Sequence, residues 1–203
     1  MTFTREALEN GIRVWRSSGK PADLHNILYL NLGASDPNGD FSEAWWKRFS
    51  QRIQEAGGTS LGDERPIIDN LSELTRVWNS VISPNSTRTI ADLDWEMVSE
   101  LPILIDSLPT GSEWNFTAWF CHLIAPPIFP AIDNHLIATS STNYELFYRE
   151  VQQTWKSTDM WLQQELLGVI SEAMEATEIL NYPYYTKIAE LCFLGTASKQ
   201  PEH

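Results

Sequence analysis

Three observations predict an all-α fold, a compact orthogonal helical bundle. Apolar residues recur at helical spacing in almost every segment and alternate convincingly in almost none. Breaks rich in Gly and Pro cut these segments into short pieces. A chain of 203 residues that is 42% hydrophobic, with nine Trp, is long and apolar enough for one sizeable core. About eight or nine helices with short connections suit an orthogonal bundle better than a coiled coil.

Thr4 caps a first helix to about Ser18, with Leu8, Ile12 and Trp15 on one face. Gly19-Lys20-Pro21 ends it. His25 to Leu32 suits a second short helix, although Ile27, Tyr29 and Asn31 also alternate as a strand would. Gly33 to Asp40 is the clearest loop. A third helix, Ser42 to Ala56, carries Trp45, Phe49 and Ile53 at helical spacing and closes at Gly57-Gly58. Trp46 is adjacent to Trp45, so one of the two rings must point away from the other's face. Pro66 opens a helix reaching Ile82, because a first-turn proline loses no hydrogen bond. Ser83-Pro84-Asn85-Ser86 breaks the pattern, and Ala91 to Ser99 and Leu101 to Ser107 follow as short helices.

Leu108-Pro109-Thr110-Gly111-Ser112 is a turn: proline lacks an amide hydrogen and glycine tolerates positive φ. Phe116, Ala118, Trp119, Phe120, Leu123 and Ile124 then fall at helical spacing until Ala125-Pro126-Pro127 stops them. Ile128 to Ile132 forms a short apolar bridge that delivers a carboxylate, Asp133, to the start of another element. Beyond the polar stretch Thr139 to Thr142 come three helices: Asn143 to Lys156, Ser157 or Asp159 to Glu178, and Tyr182 to Leu194, the last ended by Gly195.

No apolar run is long enough to cross a bilayer and the N-terminus is not a signal peptide, so a cytoplasmic protein is expected. Cys121 and Cys192 sit in apolar helical patterns and read as buried thiols. With His25, His122 and His135 they form no close ligand pair at metal spacing, so no metal site and no cofactor are expected. No phosphate loop, dinucleotide fingerprint or nucleophile elbow occurs. The net charge of −13 predicts long-range repulsion from a polyanion. Between Arg88 and Arg149 there is no Lys or Arg at all. Basic residues gather instead at Arg13, Arg16 and Lys20, and at Lys47, Arg48 and Arg52, which could form a local basic face.

The stretch from Leu108 to Leu136 resembles the helix-hairpin-helix DNA glycosylase superfamily, in which a hairpin, a helix starting near Thr-Ala, a proline-containing bridge and a catalytic Asp follow one another. The matching positions are Leu108, Pro109, Gly111, Thr117, Ala118, Pro130 and Asp133. Phe129 to Leu136 looks most like the adenine-specific branch. Phe116 stands where bifunctional relatives carry a lyase lysine, so the resemblance implies a monofunctional enzyme that uses water. It also implies one lobe of about residues 35–125 and a second built from 1–34 and 126–203, with the cleft between them. DNA is then the expected partner, despite the acidic charge, held by the backbone of Pro109, Thr110, Gly111 and Ser112.

On this reading Asp133 stabilises the oxocarbenium character of the sugar and orients or deprotonates the attacking water. Its simpler role is a helix N-cap. Trp114, Trp46, His135 and Tyr144 are candidates to hold an extruded base. His122, within an apolar helix, reads as a satisfied core histidine. Tyr182-Pro183-Tyr184-Tyr185 either lines a pocket or caps the final helix. The rival expectation is a non-enzymatic acidic helical protein, an interaction module or inhibitor that meets a basic partner through its Asp92 to Glu113 face.

Overall fold

The computed structural model describes residues 2–18, 41–55, 63–109, 115–131, 144–174 and 182–197. All regular structure among them is helical. The helices are α1 (Arg5–Ser17), α2 (Glu43–Glu55), α3 (Arg65–Asp69), α4 (Leu71–Val77), α5 (Trp95–Val98), α6 (Glu100–Ser107), α7 (Asn115–Ile124), α8 (Tyr144–Ser157), α9 (Met160–Ala173) and α10 (Tyr184–Ala197). None of the described helices is long and apolar enough to cross a membrane. The expected second helix, His25 to Leu32, lies outside the described residues.

Local chemistry sets the starts. Thr4, extended at φ −136°, accepts from Ala7 N and caps α1. Ser42 Oγ accepts from Trp45 N at the start of α2, and Asp159 accepts from Trp161 N and Leu162 N at the start of α9. Where boundaries differ from expectation, a side chain competes with the helical ladder. The single helix expected from Pro66 to Ile82 is divided at Asn70, whose Nδ2 turns back to Pro66 O at 2.8 Å. It then widens into a π-helical turn, Trp78–Ile82. The helix expected from Ala91 is shortened to α5 because the Asp92 carboxylate accepts from both the amide and the hydroxyl of Thr89, folding 89–92 into a turn.

The first and last helices pack most intimately. Gly11 of α1 and Gly195 of α10 meet backbone to backbone: an added Cβ on Gly11 would lie 1.8 Å from Leu191 O, and one on Gly195 1.9 Å from Ala7 O. Gly195 therefore does not end the last helix as its sequence context suggests. The helix continues to Ala197 and uses the glycine for close approach. At the other end of α10, Lys187 is buried, with its ammonium 3.0 Å from Glu190 Oε2 and 5.3 Å from the centre of the Trp15 ring. The ion pair and the aromatic face offset the desolvation of that charge.

Both Trp45 and Trp46 are in the core, so neither ring points out to solvent. Trp45 stacks on Phe49 at 4.8 Å and meets Phe41 edge-on, while Trp46 packs on Phe120 of α7 at 5.9 Å. The helix is thus embedded on two sides, which adjacent positions about 100° apart on a helix can exploit. Trp46 Nε1 donates to Glu64 Oε2 at 3.0 Å, and Ser50 Oγ donates to Glu64 Oε1 at 2.6 Å. Glu64→Ala would leave two donors without their acceptor, and it is expected to cost about 1–3 kcal/mol. Glu64→Gln keeps an acceptor and is expected to cost less, which a shift in the urea midpoint would measure.

Candidate active site: the proline-rich connector

The segment that links α7 to α8 begins where the helical ladder has to stop. Ala125 N still donates to Cys121 O at 2.9 Å, but Pro126 and Pro127 have no amide hydrogen to continue the series. Ile128 N and Phe129 N both turn back to Ala125 O, at 3.0 and 3.1 Å, forming a tight corner. Ile128 and Phe129 bury their side chains in the core, and Pro130 is buried with them.

A buried corner of this kind exposes carbonyls that its own prolines cannot satisfy, and buried carbonyls need donors. They come from four different parts of the chain. Thr186 Oγ1 of α10 donates to Pro126 O at 2.7 Å, and Ile90 N donates to Pro127 O at 3.0 Å. His122 Nδ1 of α7 meets Phe129 O at 2.6 Å, and the Tyr144 hydroxyl of α8 donates to Pro130 O at 3.1 Å. Because a carbonyl oxygen only accepts, the His122 contact puts the proton on Nδ1. His122 is thus the satisfied core histidine that its sequence context suggests.

Tyr144 stays a donor across the ordinary pH range. Burial, with smaller contributions from Cys121 and Tyr148, pushes its phenol well above the usual tyrosine value. Burial likewise pushes the Cys121 thiol far up, which removes it as a nucleophile. Tyr144 packs edge-on to Trp95 of α5, with ring centres 5.9 Å apart at 85°. One turn further along α8, Tyr148 donates to Leu93 O at 2.8 Å and rests its ring against Phe129.

Asp133, His135, Trp114, Thr110, Gly111 and Ser112 lie outside the described residues. Pro109 is exposed just past α6. Of the base-pocket candidates, Trp46 has no ring face open to solvent and Tyr144 uses its hydroxyl on the connector. The structure brings Tyr144 and His122 together on the connector, while Trp46 joins a different part of the core, against Phe49 and Phe120. Thr186 and the Ile90 amide were not legible as partners. Three prolines within five residues announce carbonyls in need of donors, but nothing local names donors about sixty positions away in one case and nearly forty in the other.

Several of the exposed cations are paired. Arg5, Lys47, Arg65, Arg76, Arg149 and Lys156 each lie within ion-pair distance of a carboxylate. Such exposed pairs add little stability. Their effect is to offset the positive charge of these six side chains toward a polyanion. Among the described residues no group of three His, Cys, Asp or Glu side chains is arranged to hold a metal ion. Compared with protein-family models, with curated proteins and with solved structures, the chain finds no match.

Proposed function

We propose that this protein is a monofunctional, glycosylase-like hydrolase that extrudes a damaged or modified base from DNA and hydrolyses its bond to deoxyribose with Asp133. The observation that supports this best is the bracing of the connector: four carbonyls between Pro126 and Pro130 are held by four separate parts of the chain, just upstream of that carboxylate. Burial alone requires donors for these carbonyls, and the same bracing suits a reacting group, which must keep its geometry to within about 0.5 Å. In the reaction the C1′–N bond breaks with its electron pair leaving on the base. Water oxygen bonds to C1′, and its proton passes through Asp133 to solvent or the departing base. No amine adds to the sugar.

The test is incubation with duplexes carrying modified bases, read by alkali-labile strand cleavage. Abasic sites are expected, with no adduct trapped by borohydride. The reading is lost if no modified duplex yields an abasic product.

The pairing of exposed cations with carboxylates favours a second reading, an acidic helical module that binds a basic partner. Titration with duplex DNA at low salt separates the two. Binding that weakens as salt rises supports the hydrolase. Absence of DNA binding, together with binding to a basic peptide, supports the module.

A further inference from the structure

We propose that the outer face of α5 and α6 is a docking surface for a cationic amphipathic helix of a protein partner, with Ile103, Met97 and Leu146 as its apolar anchors. The inference rests on the second reading above and is independent of the hydrolase chemistry. Ile103 of α6 is 61% exposed, Met97 of α5 is 44% exposed and Leu146 of α8 is 59% exposed. α5 packs against both α6 and α8. Glu96 and Glu145, the neighbours in sequence of Met97 and Leu146, both pair with Arg149, which draws those two positions onto one stretch of surface. Large apolar side chains that open together on one such stretch mark a place that a partner covers.

Charge decides which partner. α5 and α6 carry Glu96, Glu100 and Asp106 and no Lys or Arg. Ile103 lies one turn after Glu100 and one turn before Asp106, at spacings that share a helix face. The arginines that reach this face are each divided between two carboxylates: Arg76 between Glu73 and Glu100, and Arg149 between Glu96 and Glu145. One cation for two carboxylates leaves each group negative. A second copy of this chain, at a net charge of −13, is repelled by such a face, as is a nucleic acid. A helix that carries Lys or Arg on either side of an apolar stripe complements both its charge and its open apolar residues.

The probe is a fluorescently labelled amphipathic helix of Leu and Lys, titrated with the full chain and read by anisotropy over a range of salt. Ile103→Ser is expected to weaken binding by about tenfold, the scale of one buried aliphatic side chain. Glu100→Gln combined with Asp106→Asn is expected to weaken it by about threefold or more and to make its salt dependence shallower. These are surface changes, so Tm is expected to stay within about 2 °C of wild type. Trp161→Ser, which removes an 82% exposed side chain from α9, is expected to leave binding unchanged. Peptide binding that Ile103→Ser does not alter, or that Trp161→Ser weakens equally, overturns this face while the acidic-module reading stands. A chain that binds no basic peptide overturns both. Self-association that Ile103→Ser abolishes in sedimentation gives the face to a second copy and overturns the proposal.

Discussion

Gly195→Ala is expected to destabilise the protein by at least about 3 kcal/mol, and Gly11→Ala by a similar amount, because overpacking against backbone cannot be relieved by rotating a side chain. The new methyl of Gly195→Ala would sit 1.9 Å from Ala7 O and 2.6 Å from Gly11 N, and that of Gly11→Ala 1.8 Å from Leu191 O. Real carbon contacts do not approach so closely, so α1 and α10 would have to move apart. The buried faces that move with them include Leu8 and Ile12 on one helix and Leu191 and Cys192 on the other. Gly168 is the control: it lies on α9 with nothing within 4 Å of an added Cβ. Gly168→Ala is expected to stabilise by up to about 1 kcal/mol through helix propensity. Urea unfolding of the three variants decides the matter, and a Gly195→Ala variant within about 1 kcal/mol of wild type would show that the two helices are not in the contact described.

That glycine also shows where sequence reading stops. A Gly near the end of an apolar helical pattern is most often a stop signal, and nothing within α10 distinguishes a stop from a contact. The distinction depends on Ala7, almost the whole chain away. The same holds for Trp45 and Trp46: helical spacing shows that two adjacent rings face different ways, but not that core lies on both sides. Features carried by neighbouring residues were legible. Thr4 caps the helix it precedes, Asp159 rather than Ser157 marks the start of α9, Pro66 sits in a first turn, and Cys121, Cys192 and His122 are buried as their apolar contexts imply. The break at Asn70 was not read from the sequence, since a side chain that can bond its own backbone interrupts a helix only when packing allows the break. At the candidate site the prolines mark the connector and its unsatisfied carbonyls. Which side chains would satisfy them is a property of the assembled core, through Thr186, Tyr144 and the Ile90 amide. The carboxylate itself rests on the motif from Leu108 to Leu136.

Asp133→Asn is expected to lower abasic-site formation by about a hundredfold to ten-thousandfold, the range over which a positioned acid or base contributes to catalysis. Two roles compete for this residue, and the substitution separates them. Asparagine is nearly the same size as aspartate and caps helices about as well, so a residue that only starts a helix tolerates the change with little loss of stability. It carries no charge at neutral pH, so it can neither stabilise a developing oxocarbenium ion nor take a proton from water. The catalytic role therefore predicts a large loss of kcat at nearly constant Tm, with DNA binding kept. Asp133→Ala lacks any capping oxygen; a similar loss of rate is expected, joined by a stability cost of about 1 kcal/mol where the residue also starts a helix. A capping role alone predicts the reverse order of effects: activity kept in Asp133→Asn and stability lost only in Asp133→Ala. Measuring kcat and Tm for both variants on a duplex that the wild type cleaves distinguishes these outcomes. Wild-type activity in Asp133→Asn would remove the carboxylate from the chemistry, leaving the braced connector as a structural corner and the acidic surface as the feature in need of a partner.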